Sequence, residues 1–166
     1  KADKIVFIDD DLSFRPEDFF AVVASDHDIV SLPYWCGKTT LSYYASEMLP
    51  PLGQQFFDII SNGFGLMSIA RSVFRTIEKD CAVIRDKDFR YVHGVASESE
   101  LRNYFQYKVV EGEFRGEDVN FCRLAGSYGI EHKLYCNGIT THHKQGGALV
   151  LDFQRLVESV HAAVIL

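Results

Sequence analysis

The sequence predicts an α/β fold, with a mixed, mostly parallel sheet flanked by helices. Short apolar runs rich in β-branched residues alternate along the chain with longer amphipathic stretches. That alternation is typical of layered α/β domains. The chain has 166 residues, which is the size of one domain and is enough for a core without disulfide bonds. We therefore expect residues 1–166 to form a single domain.

In the first half of the chain, strands and helices alternate. Lys4–Ile8 is a short, largely apolar run rich in β-branched residues, which predicts a fully buried strand at the centre of the sheet. Pro16 and the two acidic residues after it indicate a helix N-terminus, which both proline and negative charge favour. The other predictions for this half are a helix over 16–24, a strand over 28–32, a short helix over 41–48, a strand over 66–69 and a helix over 71–79.

In the second half, acidic residues and glycines mark the helix ends. Ser97 and Glu100 have the spacing of a capping box. A helix is predicted from Glu117 to about residue 128, with Gly129 as its C-terminal stop. The other predictions are a strand over 133–136, a polar loop over 140–147 and an amphipathic helix over 152–164.

The composition excludes several classes of protein. With 17 Lys and Arg against 23 Asp and Glu, the formal net charge is −6, which argues against a nucleic-acid binder held by phosphate contacts. No apolar run reaches the ~18 residues that a bilayer span requires. The four widely spaced cysteines include no C-x-x-C pair, which predicts buried free thiols and a cytoplasmic location.

Three consecutive aspartates, Asp9, Asp10 and Asp11, follow the first predicted strand. Their carboxylates repel one another beside the apolar core, and a divalent cation would relieve that repulsion. Carboxylate oxygens suit Mg²⁺ or Mn²⁺, which can also hold phosphate oxygens. Ligands of open α/β sheets bind beyond the carboxyl ends of strands, where this turn is expected. The alternative is a solvated acidic turn that caps the next helix.

Two further pairs of residues could complete a site. Glu117 and Asp118 either complement a helix N-terminus or include a general base. His142 and His143 lie in the predicted polar loop, where they are either ordinary surface residues or ligands of a transition ion such as Mn²⁺.

Substrate contacts are expected from two other segments. The glycines of Asn62-Gly63-Phe64-Gly65 precede a strand, which indicates either an ordinary turn or a close approach of the backbone to a ligand. Trp35, the single tryptophan, could stack on a sugar ring or pack in the core. Lys38 could meet a phosphate as a point charge.

In this order the segments resemble the glycosyltransferases of the GT-A fold, of the family-two-like type. The resemblance covers residues 4–147. A complete GT-A fold has further strands before its Asp-x-Asp strand, whereas here that strand begins at Lys4. The resemblance therefore implies the C-terminal part of such a domain, without the N-terminal nucleotide-binding strands. The matching segments are 6–14, 16–19, 29–34 with Lys38, 62–71, 116–122 and 139–143.

The resemblance implies metal-dependent transfer of a sugar from a nucleotide-diphosphate sugar to a hydroxyl of a carbohydrate or other acceptor. Asp11, and Asp9 directly or through water, would hold Mn²⁺ or Mg²⁺. One of His142 and His143 would be a further ligand, with His143 preferred.

The resemblance also implies roles for the other candidates. Asp118 would be the general base of an inverting reaction, and Glu117 would position the acceptor. Substrate contacts would come from Asp10, Trp35, Lys38, Asn62, Gly63 and Gly65. Two alternatives are a metal-dependent phosphatase of the haloacid-dehalogenase type and a non-catalytic nucleotide-sugar-binding module.

Overall fold

The computed structural model describes residues 2–84 and 101–164, which form an α/β fold with a mixed sheet and four α-helices. The predicted capping box at Ser97 lies outside these residues. The helices are α1 (Pro16–Ala24), α2 (Arg71–Ile77), α3 (Glu117–Ser127) and α4 (Phe153–Val164), with a 3₁₀ turn at Glu78–Asp80. The strands are β1 (Lys4–Ile8), β2 (Leu12–Phe14), β3 (Ile29–Ser31), β4 (Tyr43–Tyr44), β5 (Phe56–Ile59), β6 (Ser61–Asn62), β7 (Leu66–Ala70), β8 (Ala82–Ile84), β9 (Leu101–Asn103), β10 (Lys108–Val110), β11 (Glu113–Arg115), β12 (His132–Tyr135), β13 (Ile139–Lys144) and β14 (Gly147–Asp152).

The largest sheet has five strands in the order β1-β7-β3-β12-β5. Its α/β character and mixed strand directions confirm the coarse prediction. The prediction of a mostly parallel sheet is wrong, because only β3 and β12 are parallel and the other neighbouring pairs are antiparallel. Apolar runs indicate that a strand is buried, but they carry no information about the direction of its neighbours.

Strand β1 lies at the edge of this sheet, so its predicted central position is wrong. It pairs with β7, and no described strand pairs with its other side. Ile5 and Ile8 are exposed, whereas Val6 and Phe7 pack against the core. The carboxyl end of β1 is therefore both accessible to solvent and close to the core.

Helices cover both faces of the five-stranded sheet. Because side chains alternate along a strand, Ile29 packs on one face with Phe121 of α3, and Val30 packs on the other with Val22 of α1. Helix α2 lies on the same face as α3. The predictions of α1, α2, α3 and α4 are confirmed to within a few residues, and Gly129 follows α3 with a φ of 74°.

A second sheet of three strands, in the order β14-β13-β2, replaces a predicted loop. The segment 140–147, expected as a loop, continues β13 and turns back into β14. Gly146 and Gly147 have φ values of 97° and 146°, which suit the turn between the two strands. The polar residues that favoured a loop are accommodated because β13 pairs on both sides, with β14 and with β2.

The short helix expected over residues 41–48 is absent from the described structure, which has strand β4 there instead. Backbone groups of this segment are engaged by distant residues. Ser42 donates its N–H to the Tyr34 carbonyl at 2.9 Å, and the Tyr44 carbonyl accepts from Ile60 at 2.8 Å. These long-range bonds outweigh local helix propensity.

All four cysteines are free, as expected. Cys81, Cys122 and Cys136 are buried, but Cys36 is exposed, which corrects the expectation of four buried thiols. None of the described helices is both long enough and apolar enough to cross a bilayer.

Candidate active site at the end of the first strand

The three aspartates form a tight turn that connects the two sheets. The Asp9 N–H donates to the Gly65 carbonyl at 2.9 Å, which ties the turn to the segment before β7. The Leu12 N–H donates to the Asp9 carbonyl at 3.3 Å, and Leu12 then begins β2. The predicted position of Asp9, Asp10 and Asp11 beyond the carboxyl end of a strand is thus the observed one.

The second sheet brings His142 onto Asp11. His142 pairs in register with Leu12, and the His143 N–H donates to the Asp11 carbonyl at 2.7 Å. The Nε2 atom of His142 lies 3.1 Å from Oδ2 of Asp11. Its Nδ1 atom lies 2.7 Å from the carbonyl of Trp35. Two residues more than a hundred positions apart are therefore held in contact by strand pairing.

His143 faces the other way, because neighbouring side chains on a strand point to opposite faces. Its imidazole is exposed, and its Nε2 lies 2.9 Å from the hydroxyl of Ser13. The buried His142 thus contacts the aspartate turn through its side chain, and His143 does so only through its backbone. The geometry favours His142 as the ligand, opposite to the sequence-based preference for His143.

The contact between His142 and Asp11 fits a cation. A backbone carbonyl can only accept, so Nδ1 of His142 carries the hydrogen that bonds Trp35. Nε2 then faces Oδ2 of Asp11, and either a proton on Nε2 or a bound cation lies between the two atoms. Neighbouring ligands of an octahedral ion at about 2.1 Å are about 3.0 Å apart, close to the observed separation.

Among the described residues, this pair is not part of a larger cluster of metal-ligating side chains. Within residues 2–84 and 101–164, no group of three or more His, Cys, Asp and Glu side chains is arranged to hold a metal ion. Asp9 lies close enough for its charge to interact with those of Asp11 and His142. The donor set of the site is therefore one imidazole nitrogen and one carboxylate, with a second carboxylate nearby.

Negative charge accumulates at the aspartate turn and shifts the pKa of Asp9. Partial burial raises the pKa of Asp9, and the charges of Asp11 and Asp10 raise it further. Lys144 opposes this effect, with its Nζ 3.9 Å from Oδ2 of Asp11. Asp10 itself is exposed. A cation at this turn would relieve the repulsion between these carboxylates.

Asp118 extends the site from the start of α3. Its Oδ1 accepts the Val119 N–H at 2.6 Å, so the carboxylate does complement the helix N-terminus. Its Oδ2 lies toward Gly63, since a Cβ added to that glycine would be 3.6 Å from this oxygen. Burial raises the pKa of Asp118, and the charge of Asp9 contributes in the same direction. Both interpretations of this residue are thus compatible with the structure.

Tyr34 joins these groups, and sequence reasoning missed it. Its buried ring stands edge-on to His142, with centroids 5.1 Å apart. Burial raises the pKa of its phenol, and the charges of Cys36, Asp9 and Asp118 raise it further. The phenol therefore stays protonated and can donate a hydrogen bond to a carboxylate or phosphate oxygen.

The two predicted glycines make room for Tyr34. A Cβ on Gly63 would lie 2.0 Å from the Tyr34 hydroxyl, and one on Gly65 would lie 2.6 Å from the ring. Neither glycine has a positive φ. Close approach was the correct expectation for these glycines, but the group that approaches them is a side chain of the protein. The two glycines were the only signal in the sequence that could have pointed to Tyr34.

Three other predicted substrate contacts have different surroundings. Asn62 is buried and donates to the Ser31 hydroxyl at 2.9 Å and the Leu32 carbonyl at 2.7 Å. The partly buried Trp35 packs against a core cluster, and the structure gives its carbonyl, rather than its indole, a contact with His142. Lys38 is exposed in the turn that the Cys36 N–H closes onto Thr40. Trp35 thus contacts the site through its backbone carbonyl on His142, and the substrate contacts of Asn62 and Lys38 stay predictions.

Glu117 lies at the first position of α3 and is partly exposed. Its carboxylate accepts a hydrogen bond from Tyr107, which raises the pKa of that phenol. Glu117 therefore faces the segment before β10, whereas Asp118 faces Gly63 and Tyr34.

An ion pair between the buried Asp18 and the partly exposed Arg15 lies at the start of the strand that carries His142. Asp18 is fully buried in α1 and accepts two hydrogen bonds from Arg15, at 2.8 and 2.6 Å. The same carboxylate accepts the N–H of Ile139, the first residue of β13, at 3.1 Å. The sequence suggested only a helix-end role for Asp18, and the structure adds the anchoring of β13.

Comparisons with known proteins add little to this geometry. No protein-family model and no curated protein matches the chain. Among solved structures, the chain is similar to the crystal structure of A197 from STIV, with a TM-score of 0.48 and 17% identity. The match covers 86% of this chain and 59% of that one, so the chain spans about three fifths of its length. A similarity at this level carries no argument about function.

Proposed function

We propose that this chain belongs to a metal-dependent glycosyltransferase of the GT-A type, which transfers a sugar from a nucleotide-diphosphate sugar to an acceptor hydroxyl. The contact between Asp11 and His142 carries the proposal. It pairs a carboxylate with an imidazole beyond the carboxyl end of a strand, where α/β folds bind their ligands. The order of the sequence motifs supports the same function.

Asp11 and His142 would hold Mn²⁺ or Mg²⁺, with Asp9 as a direct or water-mediated ligand. Two protein ligands suffice for such an ion, because Mg²⁺ sites commonly complete their coordination with water and substrate phosphates. A cation held by these residues would supply positive charge to stabilise a departing diphosphate. Lys144 and the Tyr34 phenol are further donors on the same side of the molecule.

Asp118 would accept the proton of the attacking hydroxyl. Partial burial raises its pKa, and a carboxylate with a raised pKa is a better proton acceptor. Its Oδ2 is the free oxygen, since Oδ1 is engaged by the Val119 N–H. The Tyr34 phenol also lies beside Gly63, so it is on the same side of the site as Oδ2 of Asp118.

A thermal-shift screen of nucleotide sugars, with and without Mn²⁺, tests the proposal. A ligand that binds only the folded state raises the melting temperature by mass action. We expect a shift for one donor that requires Mn²⁺ and that is lost in Asp11→Asn. The absence of any metal-dependent shift across the screen would contradict the proposal. Phosphate release from p-nitrophenyl phosphate would favour a phosphatase, and donor binding without transfer or hydrolysis would favour a binding module.

A further inference from the structure

A small hairpin next to α3 exposes an apolar face. Strands β10 and β11 are joined by Glu111 and Gly112, whose φ values of 55° and 83° form a tight two-residue turn. Tyr107, Val109 and Phe114 are 63%, 71% and 71% exposed. The rings of Tyr107 and Phe114 stack with centroids 5.5 Å apart and an interplanar angle of 17°. We call these three side chains the aromatic platform.

The base of the hairpin is fixed to α3. The side-chain amide of Asn120 donates to the carbonyls of Gln106 and Arg115, at 2.9 and 3.1 Å. Gln106 precedes β10 and Arg115 ends β11, so both carbonyls lie at the base of the hairpin. The platform therefore has a defined position relative to Glu117 and Asp118, which lie on the same helix.

A polar contact continues from the platform into the candidate active site. The Glu117 carboxylate accepts a hydrogen bond from the Tyr107 phenol. Asp118, the next residue, is the proposed base. A molecule lying on the platform would thus reach Glu117 at its polar edge.

The shape and charge of the platform favour one kind of occupant. Contiguous exposed apolar side chains indicate a binding surface, but three of them are too few for a stable protein interface of about 800 Å² per partner. Glu111 and Glu113 at the hairpin tip would repel an anionic bilayer. A pyranose ring has an apolar C–H face that suits an aromatic ring, and hydroxyls that suit a carboxylate.

We propose that the aromatic platform binds a pyranose ring of the acceptor, with Glu117 accepting a hydrogen bond from one of its hydroxyls. This inference rests on the proposed function, which it deepens by naming the acceptor as a carbohydrate. It also assigns the stacked Tyr107 and Phe114 as acceptor-binding residues.

Saturation-transfer NMR with soluble oligosaccharides tests the platform without needing turnover. The probes are cellotetraose, maltotetraose, mannotetraose and chitotetraose. We expect at least one to bind the wild-type chain and to bind Phe114→Ala about tenfold more weakly, the scale of one lost stacking contact. The matched control is Phe20→Ala, which removes a phenylalanine of α1 that is 65% exposed, and it should bind as the wild type does.

The outcomes separate this inference from the proposed function. Equal binding by Phe114→Ala and the wild type, or no binding of any probe, would overturn the platform. Phe114-dependent binding to phosphatidylcholine vesicles, without binding to the oligosaccharides, would also overturn the platform as a sugar-binding surface. Phe114-dependent saccharide binding without any metal-dependent donor shift would remove the transferase proposal and leave a carbohydrate-binding surface. Weakened saccharide binding by Phe114→Ala together with an unchanged donor shift would support both proposals.

Discussion

His142 and His143 are chemically identical neighbours that strand geometry places in different environments. The first is buried against Asp11, Trp35 and Tyr34, and the second is exposed beside Ser13. Which of them can serve the site depends on the register of β13 against β2. A shift of one residue in that register would exchange their roles, and the sequence alone does not state the register.

His132 is a buried histidine of a different kind. Its Nε2 lies 2.9 Å from the Ser31 hydroxyl, and its Nδ1 has no hydrogen-bond partner among the described atoms. Burial lowers its pKa from 6.5 to about 3. The imidazole is therefore neutral in the folded protein over the whole range in which an exposed histidine gains its proton.

The lowered pKa predicts a loss of stability in mild acid. The unfolded chain binds a proton at His132 below pH 6.5, and the folded chain does not until about pH 3, so unfolding becomes more favourable as the pH falls through this window. At pH 5 the contribution is about 2 kcal/mol. Urea unfolding at pH 7.5 and 5.0 should show that His132→Gln has a smaller pH dependence than the wild type, by about this amount. Parallel profiles for the two proteins would refute the assignment.

Among the elements, α1 and β13 are linked by a single carboxylate. Asp18 receives two hydrogen bonds from Arg15 and one from the backbone of Ile139. It thereby holds the start of the strand that places His142 beside Asp11.

Removal of this carboxylate should destabilise the protein. Asp18→Ala removes the acceptor of the Ile139 N–H and of two Arg15 bonds, and we expect a loss of about 2 kcal/mol in the free energy of unfolding, because Arg15 is partly exposed and keeps the Asn137 carbonyl. Glu17→Ala is the matched control in the same helical turn. Glu17 is exposed, and its carboxylate lies 3.6 Å from Nε of Arg15 in a surface ion pair. Its effect should stay under ~1 kcal/mol. Equal effects of the two substitutions in urea unfolding would contradict the anchoring role of Asp18.

The sequence predicted those elements whose signals are local. Helix α1 was predicted from Pro16 and the acidic residues after it, and α3 from Gly116 and its acidic first turn. Strand β4 and the β13–β14 hairpin were missed, because both are stabilised by pairing with distant strands. The polar residues of β13 predicted a loop, because its pairing with β14 and β2 leaves no signal in the local sequence.

At the scale of the whole molecule, the candidate site assembles residues from four separate segments. Asp9 to Asp11, Tyr34, Asp118 and His142 come together although they span most of the chain. The aspartates were nominated by their position after a predicted strand. Asp118 was nominated at a predicted helix start, and the histidines in a predicted polar loop. The contacts between them could not be predicted, because they depend on topology, and β1 lies at an edge instead of the centre.

The proposed substrate contacts of Asn62, Trp35 and Lys38 stay predictions. Each has a chemistry that suits a sugar or a phosphate, but Asn62 is engaged in the core and Trp35 packs on a different cluster. Tyr34 had no such signal, because an aromatic residue after a buried strand is most often part of the core.

The most direct test of the account is the binding of Mn²⁺ to the wild-type chain, His142→Ala and His143→Ala, followed by electron paramagnetic resonance. The titrations are run alone and with a panel of nucleoside diphosphates, since phosphate oxygens would complete the coordination. We expect the wild type and His143→Ala to bind Mn²⁺ alike, and His142→Ala to bind it at least about tenfold more weakly. Equal binding by the two variants, or no binding by the wild type, would contradict a cation site at Asp11 and His142.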